Sequence, residues 1–269
     1  MAFEGYELVF DGVSCSKYDL MLYDIGSNKQ SDTIKITSAG KIISDKMANK
    51  PTSILYGTEQ NEPLSFSIVL TASPKRIETN KPFDRFELQS IYSWLSGHNT
   101  WKWMKIIQPD LEPIKYRCII TELNEISYDG LIWALGCTVT CDSPYAYTNQ
   151  STSEFVIGSI QENILFRNKS SYNGIFYPQL NITLGTSRTI TIINQSNKNN
   201  TFKFTNIPLS VTDITINNEK QIITNNAGIN LYPYFNFGWL GLVRGDNNIS
   251  VSGDCTLKFI CDFPVNVGA

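Results

Sequence analysis

At 269 residues the chain has room for one large β domain or two ordinary ones, and 42% hydrophobic with 17% charged residues is the composition of a globular fold with a core to bury. A net charge of −3 and a pI near 5.3 argue against a nucleic-acid-binding protein, which would carry a basic patch. The opening MAFEGYELVF lacks the basic start and apolar run of a secretory signal, and no apolar stretch approaches the roughly 18–20 residues of a membrane span, so a soluble protein made in a cytoplasm is expected.

Leu8-Val9-Phe10, the turn pair Asp11-Gly12 and the apolar-rich Tyr18–Ile25 read as a hairpin. From Gly26 to Glu62 the pattern loosens into Ser, Lys, Asn and Asp around the short Ile34–Ile36 and Ile42-Ile43 runs; so long a weakly periodic stretch is unusual in a compact domain and often functional. Leu64, Phe66, Ile68 and Leu70 then alternate with Ser65, Ser67 and Val69, the period of a half-buried strand. In FDRFELQSIYSWLSG, Leu88, Ile91, Tyr92 and Leu95 recur at i, i+3, i+4 and i+7. With Pro82 before them and Gly97 after, they predict one helix over about residues 83–96.

Trp101–Ile107 and Tyr116–Leu123 are strand-like, and Asp129-Gly130 offers a hairpin turn into Leu131–Cys141. There Leu131, Trp133, Leu135, Cys137, Val139 and Cys141 fall on one face, the best strand signal in the chain. Ser143-Pro144 ends it, and the composition changes beyond Tyr147. Two domains are expected, 1–146 and 147–269. The first is β-rich with a single helix on one side and holds 14 Lys and Arg against 18 Asp and Glu; the second holds 8 against 7. In the second, short strands recur with no helix signal: Glu162–Arg167, Gln179–Leu184, Thr189–Asn194, Thr201–Thr205, Val211–Ile216, Lys220–Thr224, Asn248–Val251 and Thr256–Phe263. Asn217-Asn218 and Gly245-Asp246-Asn247 read as tight turns between them, and the whole as an all-β sandwich. The asparagine richness is read as compositional, and its Asn-x-Ser/Thr triplets as chance.

Catalytic raw material is scarce. The one histidine, His98, reads as a polar residue after the helix, and the GxSxG, HExxH, GxxxxGK[ST] and GxGxxG patterns are absent. Glu122 with Glu125, near a strand end, and Asp110 with Glu112, beside prolines, are close in sequence, but local acids of this kind are normally solvated. The six cysteines form no CxxC pair and read as buried free thiols, not as zinc ligands. Trp94, Trp101 and Trp103 could stack a sugar, but core packing against the helix is expected. The aromatic run Tyr232–Leu240 is either a buried wall or a subunit contact. No catalytic, cofactor or metal site is expected.

Taken together, LVFDGVSCSKYDLMLYDI, LSFSIVL with FELQSIYSWLSG and WKWMKII, TVTCDSPYAY, and LYPYFNFGWLGLVRGDNNISVSG resemble, in this order, the distal tail proteins (Dit) of long-tailed bacteriophages, also found in related contractile tails and phage-derived bacteriocins. One departure is Arg244-Gly245-Asp246 where a proline-glycine turn is expected; Gly245 can still supply a positive φ.

The resemblance implies a first domain that is a ring-forming "belt" β-sandwich with one helix, and a second that is a galectin-like β-sandwich facing outward. It implies a non-enzymatic hub in the virion's tail tip or baseplate: a homo-hexameric ring between the tail tube protein and the hub, lysin and receptor-binding proteins. DNA would pass its channel without specific binding, and acidic walls suit that passage. The Gly26–Glu62 region would supply an arm to the adjacent subunit, with Ile34, Ile36, Ile42, Ile43 and Tyr56 as candidate interface residues. The alternatives are a carbohydrate-binding, lectin-like adhesion module and a cell-wall depolymerase; the first lacks a recognisable sugar site, the second an acid pair.

Overall fold

A computed structural model of the protein describes residues 7–25, 41–47, 51–59, 62–107 and 114–266. The chain divides into two compact units, one running to residue 147 and the other spanning 148–265. The first contains β1 (Glu7–Phe10), β2 (Val13–Ser14), β3 (Leu20–Ile25), β4 (Lys41–Asp45), β5 (Ile54–Glu59) and β6 (Ser65–Ala72). Helices α1 (Pro74–Glu78) and α2 (Arg85–Leu95) follow, then β7 (Lys102–Ile107), β8 (Lys115–Tyr128), β9 (Leu131–Cys141) and β10 (Ala146–Tyr147).

The main sheet is antiparallel in the order β2-β1-β7-β8-β9-β6-β3, so these strands lie on one continuous hydrogen-bonded path. Asp11 and Gly12 close β1 onto β2 at φ 49° and 77°, the left-handed pair a two-residue hairpin needs. The hairpin does not return through Tyr18–Ile25 as the sequence pattern suggests. Ser14 caps a single 3-10 turn at Cys15–Tyr18, Asp19 turns left-handed at φ 54°, and β3 is sent to the far edge to pair with β6.

Asp84 accepts from the Phe86 and Glu87 amides while the Glu87 side chain accepts from the Asp84 amide. This capping box satisfies two orphan donors and fixes where α2 starts. Leu88, Ile91, Trp94 and Leu95 are buried, and the Trp94 indole donates to the Phe10 carbonyl at 3.0 Å, tying helix to sheet. His98 takes the bland role expected of it: its Nε2 lies 2.8 Å from the Trp94 carbonyl at the helix end. A second helix, α1, adds to the one the sequence predicts; its five residues, beginning at Pro74, are too few to carry a periodic signal. Arg76 from α1 is buried, pairing with Glu87, donating to the Lys81 carbonyl and stacking 4.2 Å from the Phe83 ring.

In β9, Leu135, Cys137, Val139 and Cys141 are core residues as the alternation predicts, whereas Leu131 is exposed. The reason is a bulge: the ladder steps from Ile126↔Ala134 to Ser127↔Ile132, which leaves Trp133 as the extra residue and changes the phase. Trp101 and Trp103 do not pack against the helix. Met104 and Ile106 take the inward positions of β7, and Trp103 lies on the opposite face beneath the Lys115 ammonium, 4.3 Å from its ring centroid.

All six cysteines are free and buried. Desolvation pushes the Cys118, Cys137 and Cys261 thiols up to about 12 and Cys255 to about 11, so they stay protonated near neutrality.

The second unit contains β11 (Ser151–Ile157), β12 (Glu162–Asn168), β13 (Gln179–Leu184), β14 (Ile190–Asn194), β15 (Asn200–Phe204), β16 (Asp213–Asn217), β17 (Ile222–Asn225), β18 (Gly245–Ser252) and β19 (Cys255–Cys261), and the chain continues through β20 (Pro264–Val265). Sheets β11-β19-β13-β16-β17 and β12-β18-β14-β15 enclose one core that includes Leu180, Ile192, Phe202, Ile214, Val251 and Phe259. This is the all-β sandwich expected. Gly245-Asp246-Asn247 is not a turn: it opens β18 and pairs with Asn168, Arg167 and Phe166, with Gly245 at the positive φ of 84°.

The asparagines are structural. Asn247 accepts from the Asn194 amide and the Val243 N–H and donates to the Val243 and Gly245 carbonyls. Asn168, Asn194 and Asn218 likewise bond the backbone of Leu240–Val243 from buried positions, so irregular chain lies across the core with its polar groups paired.

Candidate interaction surfaces

β4 and β5 pair only with each other among the described residues, Lys41 opposite Glu59 and Asp45 opposite Ile54. The register slips between Ile43 and Ser44, which leaves Tyr56 as the bulged residue. Successive strand side chains point to opposite faces, so Ile42 and Ile43 lie on different faces. Both are nevertheless exposed, at 64% and 45%, as are Leu55 at 63% and Tyr56 at 64%. A hairpin inside a globular fold buries one face; this one buries neither among its described side chains. A two-stranded hairpin is marginal alone in water, and apolar groups displayed on both its faces are the signature of a surface awaiting a partner. Of the residues singled out from the sequence, the structure thus places Ile42, Ile43 and Tyr56 together on this hairpin, while Ile34 and Ile36 lie outside the described residues.

A second surface lies along β8, which pairs with β7 only over Lys115–Cys118. Beyond Cys118 no described strand pairs with that edge. A groove of about 550 Å³ is lined there by Tyr92 of α2, Ser96 just after it, and Ile120–Glu125. Glu122 and Glu125 lie well inside β8, not at a strand end, and each is engaged locally: Thr138 donates to Glu122 at 3.1 Å and the Tyr92 hydroxyl donates to Glu125. Desolvation, that hydrogen bond and the carboxylate charge push the Tyr92 phenol up to about 12. At the hairpin tip, Asp129 and Gly130 turn at φ 52° and 73°, and Ile126, Tyr128 and Leu131 are exposed. Sequence reasoning missed this edge because it exists only where a neighbouring strand stops.

No group of three His, Cys, Asp or Glu among the described residues could hold a metal ion, and Asp110 and Glu112 lie outside them. The aromatic run resolves mainly as a wall: Phe235 and Leu240 are buried, and the half-buried Trp239 meets Phe235 edge-on at 4.9 Å. Trp239 is packed, partly buried, against the core of the second unit. No described helix is long and apolar enough to cross a membrane.

Comparison with known proteins gives a consistent result. The family described as phage tail protein N-terminal domain matches residues 3–143, and that described as phage tail C-terminal domain matches 145–261. The crystal structure of the Dit protein of phage SPP1, described as a paradigm of the hub adsorption apparatus in phages infecting Gram-positive bacteria, is similar at a TM-score of 0.65 and 12% identity, covering 97% of this chain and 100% of that one. A chain of the phage P2 baseplate in its activated conformation with Ca gives 0.51 at 10% identity, over 91% of this chain and 92% of that one. The phage p2 baseplate with Sr gives 0.50 at 9%, over 96% and 99%. At such identities the likeness establishes the fold. No curated protein matches the chain in sequence. Because the two family models between them span nearly all of both units, the chain belongs to the phage tail proteins, and its fold is that of Dit.

Proposed function

We propose that this protein is a non-enzymatic hub at the distal end of the phage tail. Six copies form a ring through their first units, the β4–β5 hairpin of each engaging the next copy. The second units face outward and carry the host-adhesion apparatus, while the opposite side of the ring meets the tail tube. DNA passes through the ring without being held, and the acidic balance of the first half, 14 Lys and Arg against 18 Asp and Glu up to residue 146, suits that passage.

The observation that carries the proposal is the hairpin: a phage tail protein presents a two-stranded element with Ile42, Ile43, Leu55 and Tyr56 all exposed. Closed rings arise when a surface on one copy meets a different surface on the next, and an arm is a physical means of making that contact. Negative-stain imaging of the purified protein tests it directly. The expected class averages have sixfold symmetry and a central channel; single-chain particles at every concentration would refute it.

A further inference from the structure

Cys118 and Cys141 are direct partners across β8 and β9. One step beyond them the Asp142 amide donates to the Arg117 carbonyl at 2.9 Å, so theirs is a non-hydrogen-bonded pair of the antiparallel ladder. In such a pair the Cα atoms lie about 4.5 Å apart, inside the roughly 4.4–6.8 Å that a disulfide spans. Both side chains enter the same core, at 0% and 1% exposure, and the Cys118 charge helps to raise the Cys141 thiol. The other cysteines have no cysteine opposite them among the described residues. Cys137 faces Ile68 and Leu123, Cys255 faces Ile157 and Leu184, Cys261 faces Ser151, and Cys15 lies in the 3-10 turn.

The pair sits where the sheet changes its support. β7 pairs Lys102 with Cys118 and with no residue beyond it, so among the described residues β8 is held by β9 alone from Ile119 onward. Cys141 is the last residue of β9, just ahead of Ser143-Pro144. A covalent bond between the two would clamp the base of the β8–β9 hairpin. It would also close residues 118–141 into a loop and so restrict the unfolded chain.

We infer that Cys118 and Cys141 form a site of reversible oxidation, which a small-molecule disulfide converts from two thiols to a cross-strand disulfide. One cysteine attacks the small disulfide as its thiolate, forms a mixed disulfide and releases one small thiol. The other loses its proton, attacks the protein sulfur of that mixed disulfide and releases the second. Two S–H bonds are lost, one S–S bond forms, and the small disulfide takes up both electrons and both protons. Burial makes these thiols weak nucleophiles, so closure is slow and proceeds through fraying at the end of β9. The closed bond is shielded from reductant by the same packing. The pairing stands on the register alone. Its timing rests on the tail reading above: a particle leaving a reducing cytoplasm for an oxidising exterior would close the bond after release.

Oxidised glutathione added to the fully reduced, full-length protein tests the site. The intact mass should fall by two hydrogens, and a non-reducing digest should yield one peptide pair joined through Cys118 and Cys141. Alkylation of the denatured chain should then reach four cysteines in place of six. For a closed loop of this length the thermal midpoint of the first unit should rise by about 10 °C and return on reduction. Cys118→Ser should abolish that rise and Cys137→Ser should keep it; if Cys118→Ser fails to fold, the digest of the unaltered protein decides. Six thiols still free after days of exposure, a glutathione adduct that persists on either cysteine, or a bond to any other cysteine would overturn the inference. Mass photometry keeps the two readings apart. A closed bond in a protein that stays a single chain upholds the site and refutes the ring, and six-chain particles with six free thiols do the reverse.

Discussion

Asn247→Ala should be among the most damaging small substitutions in the second unit. Asn247 is fully buried, its Oδ1 accepts from the Asn194 amide at 2.8 Å and the Val243 N–H at 2.9 Å, and its Nδ2 donates to the Val243 and Gly245 carbonyls at 2.9 and 3.0 Å. Truncation leaves Asn194, itself fully buried, short of one acceptor and removes three hydrogen bonds to part-buried backbone groups, of which the Val243 carbonyl keeps Asn168 as a donor. An unsatisfied buried donor costs ~1–3 kcal/mol and each lost hydrogen bond ~0.5–1.5 kcal/mol, so a loss of about 3 kcal/mol follows if water reaches the part-buried groups. For a unit of this size that is a fall of about 10 °C in its thermal midpoint. Calorimetry of the full chain measures it against Asn248→Ala, the exposed neighbour on the same strand, which should shift by less than ~0.5 kcal/mol. Equal effects of the two substitutions would show that the asparagine network does not hold the Leu240–Val243 crossing in place.

Three further outcomes follow from the packing. Arg76→Ala removes a buried guanidinium that pairs with Glu87 and stacks on Phe83, and should lower stability by about 2–4 kcal/mol in urea titration, while Lys75→Ala on the same helix stays near neutral. Gly238→Ala places a Cβ 1.9 Å from the Thr201 carbonyl oxygen, so backbone must move; a loss of about 1–3 kcal/mol and a changed Trp239 emission are expected. The thiols give a pH dependence. Cys118, Cys137 and Cys261 have folded-state values raised from 9.0 to about 12, so the unfolded chain releases these protons first as pH rises. Their contribution is complete below about pH 9 and is lost from there toward 12, so denaturation midpoints should fall steadily from pH 9 to 11. At pH 8 the native protein should resist alkylation and the denatured chain should react at all six cysteines.

Much of this fold is legible in the residues, and the exceptions have physical causes. The alternation in Leu131–Cys141 locates a core strand because one face is buried along most of its length; it fails at Trp133 and Leu131, where a bulge changes the phase. The helix is readable from its apolar spacing, and Asp84 with Glu87 three residues on is a capping box that fixes its start. Ser151–Ile157 escapes because an edge strand rich in serine and threonine carries little hydrophobic contrast. Gly245-Asp246-Asn247 misleads because turn chemistry was put to another use: glycine supplies a positive φ as β18 opens, and Asn247 bonds the backbone that enters it.

The candidate surfaces divide the same way. Loosened periodicity around Ile42 and Tyr56 marks the hairpin, since an element that buries neither face has no reason to alternate. The β8 edge leaves no such mark. Its residues look like any strand, and only the pairing of β7 with Lys115–Cys118 and no further makes Glu122–Tyr128 available.

The central claim is that the first unit assembles through its hairpin, and charge introduced there tests it most directly. Ile42→Asp with Leu55→Asp changes two exposed side chains and should leave folding intact, as read by an unchanged thermal midpoint of the isolated chain. Mass photometry should then find the wild type at six times 30.3 kDa and the double variant at the mass of one chain. Rings that persist in the variant, or a wild type that stays a single chain at all concentrations, would contradict the account.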